Sequence, residues 1–127
     1  MIKIVATSNA PKALGPYNQA VINPKSGLVF TAGQIAIDPK TGELKGSDAR
    51  EQTEQVMQNL QAILLAAGSD MNKVLRATIF LKSLKDFGVI NETYSRYFKA
   101  DFPARATVEV SGLPKDALLE IELIAYI

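Results

Sequence analysis

The strongest constraint on the fold is a single helical period framed by its own start and stop signals. Between Asp48 and Gly68, the residues Thr53, Val56, Leu60, Ile63, Leu64 and Ala67 fall on one helical face. Asp48 followed by Glu51 resembles a capping box, with Asp in place of the usual Ser or Thr. Gly68 stands where a C-terminal cap belongs. The spacing predicts a helix over roughly residues 49–67. Its apolar face needs a partner, and the chain around it reads mostly as strands.

Residues 2–6 are short and β-rich, suited to an edge strand. Ala10 to Pro16 holds two prolines and a glycine and reads as an irregular loop. Residues 17–23 and 28–35 are strand-like, and Asn23-Pro24-Lys25-Ser26-Gly27 between them is turn chemistry, so a hairpin is expected. Asp38-Pro39-Lys40-Thr41-Gly42 is a further turn. After the helix, residues 74–82 are β-rich, and residues 84–98 return to helical spacing through Phe87, Ile90, Tyr94 and Tyr97. Residues 104–110 and 118–127 read as two last strands.

The order β-β-β-α-β-α-β-β predicts an α+β chain with a single mixed β-sheet and two helices packed on one face. One domain spanning residues 1–127 fits that length. Two helices leave the other sheet face open. With Leu119, Ile121 and Leu123 toward the helices, that face carries Ile124 and Tyr126 beside Glu120 and Glu122. In residues 74–82, Thr78 and Phe80 are expected opposite Leu75, Ala77 and Ile79. A mixed face of this kind predicts burial against another copy, hence a homo-oligomer.

Composition narrows the chemistry. The chain contains neither cysteine nor histidine. A thiolate nucleophile, a Ser-His-Asp triad and Cys- or His-ligated metal sites are therefore excluded. Catalysis must rest on carboxylates, Lys, Arg, Tyr, hydroxyls, backbone groups and water. Lys plus Arg is 14 and Asp plus Glu is 13, a formal net charge of +1. That is no footprint of a nucleic-acid binder, so nucleic acid is not an expected partner. The N-terminus lacks the apolar region of a signal peptide, and no stretch approaches ~18 uninterrupted apolar residues. The expected location is the cytoplasm, with no membrane partner. Phosphate loops, dinucleotide fingerprints and calcium-loop spacings are absent.

Five residues stand out on their own surroundings. Arg105 lies in the strand-like Pro103-Ala104-Arg105-Ala106-Thr107-Val108-Glu109-Val110, where Arg105, Thr107 and Glu109 share one face. Its planar fork suits a carboxylate held by two hydrogen bonds. A structural ion pair or a solvent-facing edge charge is the competing reading. Glu120, near apolar walls in the last strand, suits the orienting or deprotonation of water. Taken alone, it reads first as a solvated strand carboxylate or as the ion-pair partner of Arg105. Tyr17 follows Gly15-Pro16 and suits either closure over a pocket or core packing. Gly33, inside an apparent strand, implies a bulge or the close approach of a ligand or a neighbouring chain. Asn91, near Phe87, Ile90 and Tyr94, suits a ligand contact or a backbone cap.

Several of these residues form a wider pattern. Asn9-Ala10-Pro11, Gly15-Pro16-Tyr17-Asn18-Gln19-Ala20 and Thr31-Ala32-Gly33-Gln34 resemble the opening of RidA/YjgF-family proteins. Phe102 to Val110, Leu113-Pro114-Lys115-Asp116 and Glu120-Ile121-Glu122 resemble the family's C-terminal signature, and Asn91-Glu92-Thr93-Tyr94 its second helix. The resemblance covers essentially the whole chain. It implies a chorismate-mutase-like fold and a homotrimer with ligand clefts between subunits. It implies hydrolysis of reactive 2-imino and 2-enamino acids, such as 2-aminoacrylate and 2-iminobutanoate, to 2-keto acids and ammonia, with no cofactor and no metal. Arg105 is then expected to grip the substrate carboxylate and Glu120 to place the water. Tyr17, Gly33, Asn91 and the backbone at Thr107 are expected to line the cleft. Two positions depart from the pattern: Ala32 stands where Ser is common, and Thr107 where Cys is common. A metabolite-binding module using the same cleft is the alternative, followed by the RNA-cleaving, translation-inhibiting or chaperone behaviour linked to some relatives.

Overall fold

In a computed structural model, which describes residues 1–127, the chain forms one six-stranded mixed sheet with two helices. In chain order these are β1 (Lys3–Val5), β2 (Ala20–Asn23), β3 (Leu28–Thr31), α1 (Ala49–Ala66), β4 (Val74–Leu81), α2 (Phe87–Ser95), β5 (Ala104–Glu109) and β6 (Leu119–Tyr126). The sheet order is β1-β2-β3-β6-β4-β5. Only the β4–β5 pair is parallel, and α2 is the crossover that parallel pairing requires. Because β3 and β4 are both antiparallel to β6, α1 is also a crossover, with β6 inserted between the strands it joins. The β2–β3 hairpin has the expected antiparallel register, Ala20 opposite Thr31 through Asn23 opposite Leu28.

Helix α1 forms where its period and caps place it. Asp48 Oδ1 accepts a hydrogen bond from the Glu51 N–H at 2.9 Å, while Glu51 reaches back to the Ser47 N–H at 3.4 Å instead of the cap residue's own. At the other end, Gly68 takes φ +83°, the Ser69 N–H donates to the Leu64 carbonyl at 2.8 Å and the Gly68 N–H to the Leu65 carbonyl at 3.1 Å. This paired 6→1 and 5→2 closure satisfies carbonyls the helix leaves open, and it needs a left-handed residue.

The core lies between the helices and one sheet face. Val56, Met57, Leu60, Ile63 and Leu64 of α1 are buried against Val29 of β3, Ala77, Ile79 and Leu81 of β4, and Leu119, Ile121, Leu123 and Ala125 of β6. The alternation along β6 is strict, with every second residue buried. The opposite face has no cover within the chain, and Phe30, Val108 and Tyr126 there remain 41%, 45% and 41% exposed. No helix is long and apolar enough to cross a membrane.

Several sequence expectations are corrected. Leu75 points away from Ala77 and Ile79 and is 47% exposed. A bulge between Val74 and Arg76 adds one residue to β4 against β6, so Val74 stays inside and Leu75 swings out. Strand β2 begins at Ala20, leaving residues 17–19 outside the ladder. Strand β3 stops at Thr31, short of residue 35. The second helix starts as a 3₁₀ turn over Leu84–Asp86 and its α part ends at Ser95.

The left-handed cap gives the first test. Gly68→Ala meets no atom within 4 Å, so its only effect is the positive φ. It is expected to cost about 1 kcal/mol, read as a lower urea midpoint with an unchanged slope.

Candidate active site

The break in β3 builds one half of the site. Phe30 pairs with Ile124, and the next pairing is Gln34 with Ile121, so residues 31–33 oppose only residues 122 and 123. The Thr31 hydroxyl fills the gap by accepting the Leu123 N–H at 2.9 Å. Gly33 sits in this bulge with the Glu120 side chain directly over it. A Cβ at position 33 would stand 2.6 Å from Glu120 Oε2 and 2.9 Å from its carboxyl carbon. The bulge reading of Gly33 holds, and what approaches its backbone is the chain's own Glu120 side chain, in place of the expected ligand or neighbouring chain.

Glu120 is half-buried on the uncovered sheet face, opposite Phe80 of β4. Burial, and secondarily the nearby Glu122, push its carboxyl above the ordinary carboxylate range. A cavity of about 450 Å³ opens beside it, walled by Leu14, Tyr17, Ala32, Gly33 and Ile35 and rimmed by Lys12 and Lys115. Tyr17 is 52% exposed, which removes the core-tyrosine reading. The tight turn Gly15-Pro16-Tyr17 closes with the Tyr17 N–H donating to the Gly15 carbonyl at 2.8 Å. Gln19, buried at the start of this edge, ties the loop down. Its amide donates to the carbonyls of Thr7, Ala10 and Pro11 and its oxygen accepts the Thr7 N–H, at 2.7–3.3 Å.

Arg105 and Asn91 form a second, separate half. Arg105 on edge strand β5 is in register with Ala77, whose side chain points to the helices. It therefore lies on the helix-covered face, beside α2. Its guanidinium carbon is 5.7 Å from the Phe87 ring centre and 5.2 Å from that of Tyr94. The ion pairs of the chain are Arg50–Glu92, Lys82–Asp116 and Arg96–Glu92, so Arg105 has no acidic partner. No structural ion pair holds Arg105 within the chain, and Glu120 is not its partner there, since the two lie on opposite faces of the sheet. Two aromatic faces support the cation, worth about 0.5–1 kcal/mol at such a site, without occupying its N–H groups. A second cavity of about 450 Å³ opens here, lined by Asn91, Tyr94, Ser95, Phe102, Pro103 and Arg105. Asn91 caps no backbone group of its own chain. Thr107 shares the face of Arg105, and its hydroxyl is buried without a hydrogen-bond partner.

The predicted residues thus fall into two groups, Tyr17, Gly33 and Glu120 on one side and Asn91, Arg105 and Thr107 on the other. Sequence reasoning missed Gln19, Lys12 and Lys115, and missed Phe87 and Tyr94 as the support of Arg105. The helical spacing of Phe87 and Tyr94 marked them only as packing positions. No group of three or more acidic side chains converges as a metal site would require.

The family model described as Endoribonuclease L-PSP matches residues 7–127. The RutC family protein PH0854 of Pyrococcus horikoshii is 53% identical over 127 residues, 99% of this chain and 98% of that one. The chain belongs to the RidA/YjgF family. The structure of the Rid-family protein YyfA of Yersinia pestis superposes with a TM-score of 0.96 at 45% identity, covering 100% of both chains. A human family member named 2-iminobutanoate/2-iminopropanoate deaminase is 41% identical over 123 residues, 97% of this chain and 88% of that one.

The shifted carboxyl gives a stability test. With its folded value above 4.5, the native state holds more protons than the unfolded one just above that pH. Stability from this group therefore falls as pH rises through the raised value. Glu120→Gln removes the ionised form. It is expected to raise the urea midpoint near pH 7, with the gain shrinking to nothing below pH 4.5, where both side chains are neutral.

Proposed function

We propose that this protein hydrolyses reactive 2-imino acids, and the enamines that tautomerise to them, to 2-keto acids and ammonia. The observation that carries the reading is Arg105: a guanidinium with no acidic partner, held on two rings at the mouth of a cavity. Such a fork is suited to a small carboxylate taken through two hydrogen bonds. The name of the human relative supports the reaction class.

The two half-sites work together if copies of the chain join, and we place the reaction in a homotrimer. The uncovered face, with Phe30, Val108 and Tyr126, supplies the apolar surface for that contact. In the joined site Arg105, Asn91 and the Thr107 backbone of one copy hold the substrate carboxylate. Glu120, Tyr17 and Gly33 of the next copy face the imine carbon.

The chemistry demands little of the protein. A protonated imine is already electrophilic, so water adds to it without a strong base. Glu120 takes one proton from that water as the C–O bond forms. Glu120 then gives that proton to the carbinolamine nitrogen, the C–N bond breaks, ammonia leaves, and the remaining hydroxyl returns its proton to Glu120 as it becomes the keto oxygen. A carboxyl shifted upward by burial is better matched to both proton transfers than an ordinary one. No redox change occurs, so no oxidant is required. Orientation by Arg105 supplies much of the rate. The same cavities suit a keto-acid-binding module, and Glu120→Gln separates the two: an enzyme loses turnover, whereas a binder keeps its affinity. The balance of 14 basic and 13 acidic residues counts against RNA as the partner.

The first experiment couples the protein to a threonine dehydratase and follows keto-acid release against semicarbazide, which traps free imine. Wild type is expected to raise the yield. Arg105→Ala is expected to lower kcat/KM on the order of 100-fold, the ~3 kcal/mol of a charge-assisted contact, with the fold intact. Full activity in that variant sinks the reading. Co-expressed Arg105→Ala and Glu120→Gln chains are expected to regain activity that neither has alone, because some interfaces then pair an intact Arg105 with an intact Glu120. No recovery in mixed oligomers places both residues in one chain's site and contradicts the geometry.

A further inference from the structure

Across the chain, two buried side-chain polar atoms have no hydrogen-bond partner, the hydroxyls of Tyr94 and Thr107. Both belong to the surroundings of Arg105. Tyr94 lies under its guanidinium at 5.2 Å, and Thr107 follows two residues along the same face of β5. Tyr94 is 2% exposed, and its ring also packs on Phe98 at 4.8 Å. An orphaned buried hydroxyl costs about 1–3 kcal/mol. Phenylalanine would keep every ring contact without that cost. Packing therefore accounts for the ring of Tyr94 and leaves its oxygen unexplained.

The neighbouring group has the opposite surplus. A guanidinium carries five N–H donors, and that of Arg105 makes no hydrogen bond or ion pair within the chain. A bidentate carboxylate engages two donors on one edge of the fork and leaves the rest without acceptors as the cleft is covered. The phenolic oxygen is sealed from solvent, so it does not reach a ligand directly. It is close enough to the guanidinium for the cation to oppose the effect of burial on its ionisation.

We propose that Tyr94 is a positioning residue for Arg105: its ring supports the guanidinium, and its hydroxyl oxygen accepts an inner-edge N–H when a carboxylate takes the outer edge. The inference rests on the carboxylate-anchoring role proposed for Arg105. The hydroxyl stays protonated through the neutral range, because burial pushes it up to about 12. Its effect on binding is therefore independent of pH there.

The test compares wild type, Tyr94→Phe, Arg105→Lys and the double variant, in turnover of 2-iminobutanoate, in affinity for 2-oxobutanoate and in thermal unfolding. Tyr94→Phe keeps the ring and removes the orphan. It is expected to unfold no earlier than wild type, with KM and the 2-oxobutanoate Kd raised about 10-fold, the loss of one hydrogen bond to a charged group, and with kcat within about twofold. In the Arg105→Lys background the same change is expected to have no further effect, since the fork it serves is gone. Unchanged KM and Kd in Tyr94→Phe, or a full additional loss on top of Arg105→Lys, overturns the proposal. If wild type binds 2-oxobutanoate but turns over no imine, the deaminase reading fails alone, and the Kd comparison still decides for or against Tyr94. A wild type that binds no 2-oxobutanoate overturns both.

Discussion

Everything in this molecule follows from both crossover helices landing on the same face of one sheet. Helix α1 carries the chain from β3 to β4, and α2 carries it from β4 to β5. The covered face takes Val29, Ala77, Ile79, Leu119, Ile121 and Leu123 into one core, and strict alternation sends their neighbours outward. This sidedness decides the fate of two charged groups. Arg105 falls on the covered side at the open edge of the sheet, where α2 offers it aromatic rings. Glu120 falls on the uncovered side, where a bulge in the segment after β3 brings Gly33 beneath it. A strand residue cannot change face without a one-residue slip of its whole strand. The separation is therefore as durable as the core itself.

In the proposed reaction, that separation also keeps the cation and the carboxylate from neutralising each other within one chain. In a single chain they would form an ion pair if they could meet, and an ion pair offers neither a free fork nor a basic oxygen. Holding them on opposite faces leaves the guanidinium with open donors and the carboxyl shifted upward by burial. The proposed homotrimer is what brings the two together with a substrate between them. The apolar exposure of Phe30, Val108 and Tyr126 is the other side of the same arrangement, since the face that keeps Glu120 away from Arg105 is the face the chain leaves uncovered.

Much of this was legible in the chain. The capped helix, the hairpin turn and the alternation in β6 are local signals, and the structure has them within a few residues. What was not legible depends on register between distant strands. Leu75 reads as an inward residue until β4 is laid against β6, and the extra residue appears only in that pairing. Gly33 reads as a strand residue for the same reason, and Thr31 gives no advance sign that its hydroxyl will replace a ladder bond. Arg105 and Glu120 were recognisable by residue type and family pattern. The alternation in β6 already put Glu120 on the face away from the helices, but the face of Arg105 was not legible, because it is set by the register of β5 on β4. Tyr94 was hidden differently: helical spacing reports its ring, and says nothing of an oxygen without a partner.

The two positions where this chain departs from the family pattern fall on different halves of the site, and their physical consequences differ. Ala32 lines the Glu120 cavity beside Leu14 and Ile35. A serine there would offer a hydroxyl to a ligand, and alanine instead extends an apolar wall. Thr107 lies on the Arg105 half, where its hydroxyl is buried without a partner. A cysteine there would bring only a weakly hydrogen-bonding thiol, so burying it would cost less. The first departure puts apolar surface on the Glu120 half, and the second puts on the Arg105 half a hydroxyl that no group of the chain satisfies. For the proposed reaction, an apolar wall beside Glu120 suits small 2-imino acids with aliphatic side chains, recognised chiefly through the carboxylate that all of them share.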